Sequence, residues 1–273
     1  MKKSHKKKIP KSFLILCILI VLLLGTAIFA PLLAPHDPNK TELSLSLLKP
    51  CKEYPLGCDA MGRCMLSRIL YGARVSIFSS LAIVFIVSFI GTLIGVFSGY
   101  FGGITDKILS KCISIMQAFP KMILAIAIAG VMGIGIENTI FALCIVEWAE
   151  YARLSRSLTM GIRNQTFIKA ARVCGESHFS IIIRQIIPNV IPTLIVNASL
   201  GIASMIMEVA ALSYLGLGVR SPMAEWGAMM NAGRNYLQTD TRLVIIPGVA
   251  IFLTAVIFNL FGDKLRDVLD GRV

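Results

Sequence analysis

The sequence predicts an all-α integral membrane protein with about six transmembrane helices. Of its 273 residues, 56% are apolar and 15% are charged, whereas soluble domains carry about 25% charged residues. Apolar runs long enough to form membrane-spanning helices recur along the chain, and glycine, proline or charged residues separate them. Much of the net charge of +12 lies in short stretches between these runs, a pattern typical of cytoplasmic loops.

The first span follows a basic N-terminus at residues 1–11, which contains six lysines. The apolar run from Phe13 to Ala34 is about 22 residues long and can cross about 30 Å of hydrocarbon. A cleaved signal peptide is the alternative, but signal cores are shorter. We therefore expect a retained span, with the first helix and an outer loop at residues 12–73 and the N-terminus in the cytoplasm.

Five further spans form the rest of the predicted membrane domain, which extends over residues 74–262. Glycines four residues apart in the second span, Gly91, Gly95 and Gly99, favour close helix packing. Pro120 is expected to kink the third span. An even number of spans places the tail, residues 263–273, in the cytoplasm. The five spans are predicted at residues 74–98, 108–132, 139–151, 188–215 and 243–261.

The cytoplasmic loop at residues 152–187 is basic and carries a single acid, Glu176. Apolar residues recur there at helical spacing on both sides of Gly175, which predicts two short helices that end at Pro188. From this pattern alone, the loop either contacts a partner or lies as an amphipathic hairpin in the headgroups. The apolar positions are Phe167, Ala170, Ala171 and Cys174, then Phe179, Ile182, Ile183, Ile186 and Ile187.

Several motifs resemble one family of membrane proteins. "KAARVCGESHFSIIIRQIIPN" (169–189) resembles the coupling-loop signature of ABC importer permeases, although Lys169, Gln185 and Ile187 depart from it. "PLGCDAMGRCMLSRILYGARVS" (55–76) and "LSYLGLGVRSPMAEWGAMM" (212–230) are similar to segments of the peptide and nickel branch, with Cys58 and Cys64 as departures. The resemblance implies a MetI-like permease fold whose loop inserts into a cytoplasmic ATPase. The implied coupling residues are Ala170, Ala171, Arg172, Gly175, Glu176 and Pro188.

The resemblance also implies partners. We expect a heterodimer with a second homologous permease, two cytoplasmic ATPase subunits and an extracytoplasmic substrate-binding protein, all in or at the bacterial inner membrane with its lipid. The chain has no GxxxxGK[ST] loop, so ATP hydrolysis is expected in separate subunits and the chain itself is not an enzyme. We expect no cofactor and no bound metal. We also expect no nucleic-acid partner, because the basic residues form no continuous basic face.

The substrate is open among the solutes that the branch carries. "SPMAEWGAMMNAGRNYL" (221–237) is closer to nickel permeases, and we favour nickel or a metal chelate, with dipeptides and oligopeptides as the alternative. A self-sufficient secondary transporter or channel is the rival class, and it would use Glu147, Glu208 and Lys121 as a charge relay. An observation that separates the two classes is a companion ATPase.

Two intramembrane charges are candidates for the transport pathway. Glu208 either faces the pathway or bonds a neighbouring helix, and Lys121 either faces the pathway or pairs and snorkels. Three cysteines of the outer loop, Cys51, Cys58 and Cys64, lack the spacing of a compact metal site. We therefore expect a disulfide between two of them, or free thiols.

Overall fold

The computed structural model describes residues 10–269, so the predicted N-terminal segment 1–11 and tail 263–273 lie partly outside the described residues. Within that range the protein is helical and forms no β-strand, which confirms the predicted all-α class. Its helices are α1 (Lys11–Ile28), α2 (Ala30–Leu33), α3 (Met65–Phe101), α4 (Gly103–Ala118), α5 (Lys121–Met132), α6 (Ile136–Ile162), α7 (Thr166–Val173), α8 (His178–Ile181), α9 (Ile187–Tyr214), α10 (Trp226–Gly233) and α11 (Arg242–Leu269).

Two compact units make up the chain. Among the described residues, the first unit comprises 10–81, 132–140 and 199–269, and the second comprises 82–131 and 141–198. Each of the helices α3, α6 and α9 is divided between the two units, with one part of its length in each. The predicted outer segments therefore fall in the first unit, and the predicted cytoplasmic loop falls in the second.

Within residues 10–269, four helices are long and apolar enough to cross a membrane, and the bent pair α4–α5 adds a fifth span if it counts as one. The four are α1, α3, α11 and the continuous helix from His178 to Tyr214. Helix α6 corresponds to the remaining predicted span. Helix α6 is long enough to span, but three glutamates and two arginines make it more polar than the other helices; they are Glu137, Glu147, Glu150, Arg153 and Arg156. A count of six spans stays a prediction.

The glycine stripe of α3 packs directly on α6 in the second unit, as the sequence predicts. A Cβ at Gly91 would lie 2.7 Å from the carbonyl oxygen of Trp148, and one at Gly99 would lie 2.8 Å from that of Arg156. At Gly95 a Cβ would come within 2.8 Å of the Arg156 amide nitrogen. Only glycine lets the two backbones approach this closely.

The bend at Pro120 is also confirmed. Helices α4 and α5 meet at an angle of 88° across Phe119 and Pro120. Phe119 is extended, with φ −95° and ψ 143°, because a proline disfavours the α-conformation in the residue before it. Pro120 also lacks the amide that would continue α4.

The prediction that a helix ends at Pro188 is wrong, because the helix passes through it. One turn of π-helix, Ile182–Ile186, joins α8 to α9, and the amide of Ile187 donates to the carbonyl of Ile182. A π-turn widens the helix by one residue and offsets the bond that the proline cannot donate. Pro192 is a second proline inside α9. The apolar loop segment and the fifth span are thus one helix.

Two predicted span boundaries also shift. Helix α1 ends at Ile28, and Phe29 separates it from the short α2, where Pro31 occupies the first turn. Helix α6 continues beyond the predicted end at Tyr151 to Ile162. Its polar C-terminal turns keep a helical pattern that a hydropathy argument overlooks, since a helix that leaves the membrane no longer needs apolar residues.

The core of the first unit forms around α10. Trp226 is buried against Met65, Ala73 and Ile77 of α3, and its indole Nε1 donates to the carbonyl of Ile69 over 3.0 Å. Glu225 is fully buried and caps α10, because its carboxylate accepts from the Ala228 amide and from the Ser76 hydroxyl, both over 2.8 Å. Burial raises the pKa of this carboxyl above its ordinary value. The cap thereby joins α10 to α3.

Substitution of Gly95 by alanine should separate α3 from α6. We expect Gly95→Ala to lower the free energy of unfolding by about 2 kcal/mol or more, since the new methyl group meets backbone that cannot turn aside. Gly161→Ala is the matched control, because a Cβ there meets nothing within 4 Å and alanine favours the helix. Thermal unfolding of both variants in detergent measures the difference, and equal stability would contradict the packing described.

Candidate functional site

The loop between α6 and α9 folds into two short helices joined at Gly175, as predicted. Gly175 follows α7 with φ +80°, its amide donates to the Arg172 carbonyl, and the Glu176 amide donates to the Ala171 carbonyl, both over 3.0 Å. These two bonds define a Schellman motif, in which a glycine adopts the left-handed conformation and ends the helix. The turn that reverses the chain is therefore specified locally.

The second helix of the loop begins at a capping residue. Ser177 is extended, and its hydroxyl accepts from the Ser180 amide over 3.2 Å. Serine is a favoured N-cap because its side chain satisfies an amide that has no helical partner. Glu176 is half-buried beside it. The segment from Thr166 to Ile181, which we call the coupling hairpin, thus has defined ends on both helices.

A buried apolar cluster anchors the coupling hairpin to the second unit. Ile168 of α7 and Ile181 of α8 are fully buried. They pack with Ile182, Ile186, Val190 and Leu194 on the α9 side and with Val96 and Tyr100 of α3. Each such side chain contributes about 1.5–3 kcal/mol by burial. The hairpin is therefore attached to α3 and α9 by close packing, so that a displacement of one carries the others.

Tyr100 contacts both helices of the coupling hairpin. Its hydroxyl forms a hydrogen bond of 2.8 Å with Nδ1 of His178 in α8. The guanidinium of Arg172, in α7, lies 5.1 Å from the centre of the Tyr100 ring, within the range of a cation–π interaction. Arg172 thus has a contact inside its own chain, which the sequence does not indicate.

Three further polar contacts fix the ends of the helices beside the hairpin. Asp106 of α4 forms a two-point ion pair with Arg156 of α6, with one N–O distance of 2.8 Å, and accepts from the Ser98 hydroxyl over 2.6 Å. Arg163 donates to the Gly99 carbonyl over 2.8 Å. Paired guanidinium–carboxylate bonds are directional. They hold α4, α6 and the C-terminal end of α3 in one arrangement.

The outer side of the hairpin exposes apolar residues. Val173 is 89% exposed, Phe179 68% and Phe167 39%, and Ala170 and Cys174 are also exposed. The predicted apolar positions before Gly175 are therefore exposed, apart from the half-buried Ala171, and Ile168 turns inward in place of Phe167. Of the predicted positions after Gly175, Ile182 and Ile186 are buried. The exposed apolar stripe consists of Phe167, Ala170, Val173, Cys174 and Phe179. Within residues 10–269 the side chains of this stripe stay uncovered, and exposed large apolar residues of this kind mark a binding surface.

The two candidate pathway residues lie in different environments. Lys121 is paired: its ammonium lies 3.1 Å from a carboxylate oxygen of the buried Glu147 and also contacts Glu150. The ion pairing expected as one alternative for Lys121 is thus present, and a pathway role for this residue stays a prediction. Glu208 is half-buried in α9. Nothing in these contacts tests a pathway role for either residue.

The three outer-loop cysteines are free thiols in the structure. Of the two alternatives, a disulfide or free thiols, the second is therefore the one observed. Cys58 and Cys64 are buried and lie opposite each other in an isolated antiparallel β-bridge of the backbone, whereas Cys51 is exposed. Burial raises the pKa of the Cys58 thiol to about 11, so it stays protonated at neutral pH. No three His, Cys, Asp or Glu side chains within residues 10–269 are placed to hold a metal ion.

Comparison with known protein families identifies the class. Residues 91–273 match the family described as binding-protein-dependent transport system inner membrane component. Residues 11–50 match the N-terminal transmembrane domain of oligopeptide transport permease C. The first match covers more than half of the chain, so the protein belongs to that family and is an ABC importer permease subunit.

Curated relatives place it in the peptide and nickel branch. A probable D,D-dipeptide transport system permease of Escherichia coli K12 is 43% identical over 255 residues, covering 93% of this chain and 86% of the relative. A nickel transport system permease of the same strain is 38% identical over 256 residues, with 94% and 92% covered. A glutathione transport system permease of E. coli O157:H7 is 38% identical over 255 residues, with 93% and 84% covered.

Solved structures support the fold. A chain of the inward-facing MetNI methionine ABC transporter has a TM-score of 0.57 at 19% identity and covers 75% of this chain and 97% of its own. A chain of an amino acid ABC transporter crystallised with histidines has a TM-score of 0.53 at 21% identity, covering 76% and 95%. The MetI-like permease fold predicted from the motifs is therefore confirmed.

Sequence reasoning found the hairpin but missed the residues that hold it. Tyr100 lies in the "SGYFGG" segment at the end of α3, far from residues 166–181 in sequence, and His178 reads as an isolated histidine. An aromatic residue with a polar tip at the end of an apolar helix was the available signal. It could not identify the partner, because no local pattern connects the two segments.

Removal of the Tyr100 hydroxyl should loosen the hairpin. We expect Tyr100→Phe to raise hydrogen exchange of the α7 and α8 amides about fivefold, the effect of one lost hydrogen bond. Tyr214→Phe is the control, since the hydroxyl of that tyrosine makes no hydrogen bond to other residues between 10 and 269. Hydrogen–deuterium exchange with mass spectrometry measures the change. Unaltered exchange in Tyr100→Phe would show that the hydroxyl does not hold the hairpin.

Proposed function

We propose that this chain is one half of the translocation pathway of an ATP-driven importer in the bacterial inner membrane, and that the coupling hairpin is its contact with an ATPase subunit. The exposed apolar stripe of the hairpin, on a segment anchored in α3 and α9, carries the proposal. An exposed apolar surface favours a protein partner, and the anchored base passes that partner's movement to the spanning helices as a rigid displacement.

The proposed docking residues lie at the tip of the hairpin. Ala170 is exposed and Ala171 is half-buried, and neither has a large side chain, so a partner can approach the backbone closely. Gly175 is exposed as well, and nothing lies within 4 Å of the place of its missing Cβ. Arg172 and Glu176 supply charge beside this surface, and Pro188 lies at the base of the hairpin in α9.

The assembly needs further chains. A single set of about six spans is small for a gated route, so we propose a heterodimer with a second homologous permease, two ATPase subunits and an external binding protein. The chain has no nucleotide-binding loop of its own. In this proposal the division of the chain is a basic segment 1–11, a first helix and outer loop 12–73, a core 74–262 with its coupling loop, and a tail 263–273.

The substrate belongs to the solutes that the relatives' names mention, which are a D,D-dipeptide, nickel and glutathione. We propose a short peptide or a metal chelate, and the two fit equally well by similarity. These two substrate classes are separated by the uptake of labelled nickel and of a labelled dipeptide, compared between a deletion strain and the same strain complemented with the gene. The rival class, a self-sufficient transporter or channel, predicts uptake by the purified chain alone in liposomes.

Two native cysteines test the proposed orientation. Cys51 and Cys174 are both exposed free thiols, and the proposed topology puts them on opposite sides. In cells with a permeabilised outer membrane, an impermeant maleimide should label Cys51 and leave Cys174 unlabelled until the inner membrane is opened. Single-cysteine variants that retain only one of the two provide the comparison. Labelling of Cys174 from outside would contradict the orientation.

A bulky residue at Gly175 should uncouple transport. We expect Gly175→Leu to insert normally into the membrane and to reduce ATP-driven uptake at least about tenfold, because the side chain blocks the close approach of a partner. Gly133→Leu is a matched control. Gly133 also has positive φ, +87° against +80°, and open space at its Cβ position, so both variants carry a similar backbone strain of about 1–2 kcal/mol.

The measurement is uptake together with ATP hydrolysis in the reconstituted complex. Gly133 lies in the turn proposed to be outside, so Gly133→Leu should retain transport. Transport that is equal in both variants, whether retained or lost, would contradict docking at Gly175.

A further inference from the structure

A cavity of about 480 Å³ in the first unit is lined by four arginines, Arg63, Arg68, Arg220 and Arg234, and by no aspartate or glutamate. Its lining comes from three separate parts of the chain: residues 63–68, residue 134 and residues 213–235. The proposed topology places the loops of all three outside the membrane. The cavity therefore lies where an imported solute first meets the permease, and its volume is within the range of small-molecule sites.

The charge of this cavity is not balanced by its surroundings. Arg63 and Arg68 are 8% and 5% exposed, and they share a single carboxylate, Asp59, at 2.7 Å and 3.5 Å. Arg68 also donates to the carbonyls of Pro38 and Pro222. These bonds fix the orientation of the buried guanidinium groups but leave one positive charge in excess.

The two remaining guanidinium groups add to that excess. Arg220 donates its Nε to the Ile134 carbonyl over 2.9 Å, and Arg234 is exposed at the C-terminal end of α10. Neither forms an ion pair with another residue of the described range, 10–269. Their free donors remain available, and a guanidinium presents paired N–H groups that match a carboxylate.

We propose that this cavity is an entry site that binds the carboxylate of a small solute, such as a peptide or an anionic metal chelate. The site opposes entry of a bare divalent cation, since the positive charge that Asp59 leaves unbalanced repels it. The inference rests on the proposed function and narrows its substrate class. A small solute is favoured over an acidic protein surface, because two of the four guanidinium groups lie buried in the wall of a concave site.

The test measures binding to the full chain in nanodiscs of neutral lipid, with no ATPase present. The probe is radiolabelled N-acetyl-alanyl-alanine, which carries one carboxylate and no ammonium, in equilibrium dialysis. Its C-terminal amide is the neutral comparator, and Ni²⁺ is the competing cation. We expect saturable binding of the acid, at least about tenfold weaker binding of the amide, and no competition by Ni²⁺.

The variants are Arg220→Gln and Arg234→Gln, chosen because both side chains are exposed and are not needed to hold Asp59. Each should weaken binding of the acid at least about tenfold. Arg234→Lys keeps the charge but not the paired donors, so its affinity for the acid should lie between those of the unchanged protein and Arg234→Gln. Lys52→Gln is the control: it removes the same charge from an exposed site in the outer loop outside the cavity, and should stay within about twofold.

Several results would overturn the site. These are absence of saturable binding, equal affinity for acid and amide, competition by Ni²⁺, or the same loss in Lys52→Gln as in the arginine variants. An arginine-dependent interaction with an acidic binding protein, without binding of the probe, would assign the arginines to a protein contact instead. ATP-driven uptake is measured separately: binding without uptake would defeat the proposed function alone, and uptake without binding would defeat this inference alone.

Discussion

The close approach of α3 to α6 along Gly91, Gly95 and Gly99 is the constraint on which the second unit depends. In lipid, apolar side chains gain little by leaving one hydrocarbon environment for another, so helix association relies on tight packing and polar contacts. The glycine stripe allows that packing. It brings the end of α3 beside Arg156 and Arg163, where the ion pair with Asp106 and the bond to the Gly99 carbonyl can form.

The same end of α3 holds the coupling hairpin. Tyr100 follows the stripe directly and contacts both helices of the hairpin, through His178 and Arg172. The π-turn at Ile182–Ile186 then makes the hairpin continuous with α9. A force on the exposed apolar stripe would thus reach two spanning helices without passing through a flexible joint. The combination of an anchored base and an uncovered tip suits a part that transmits motion between chains.

The first unit differs from the second in that polar and charged groups, rather than an exposed apolar stripe, are its main feature. Its polar groups gather in the loops: a buried glutamate caps α10 through Ser76 and Ala228, and arginines surround a cavity. Buried charge is costly unless paired, and here Asp59 satisfies only part of it. An incompletely neutralised group of arginines is a reason to expect an anion from outside. Similarity to relatives named for a dipeptide, nickel and glutathione leaves the substrate open. The proposed role of this cavity would favour a solute with a carboxylate over a bare nickel ion.

Composition and spacing alone were enough to predict an all-α membrane protein, the sharp bend at Pro120, the glycine stripe and a two-helix loop turning at Gly175. Each of these follows from local chemistry, since lipid selects apolar runs, proline lacks an amide, and glycine alone tolerates positive φ or a missing Cβ. Only the tertiary structure decided that the helix continues through Pro188, that Ile168 rather than Phe167 turns inward, that Lys121 pairs with Glu147, and that four arginines meet at one cavity. These outcomes depend on neighbours far away in sequence, and a linear pattern carries no information about which distant side chain will satisfy a buried group.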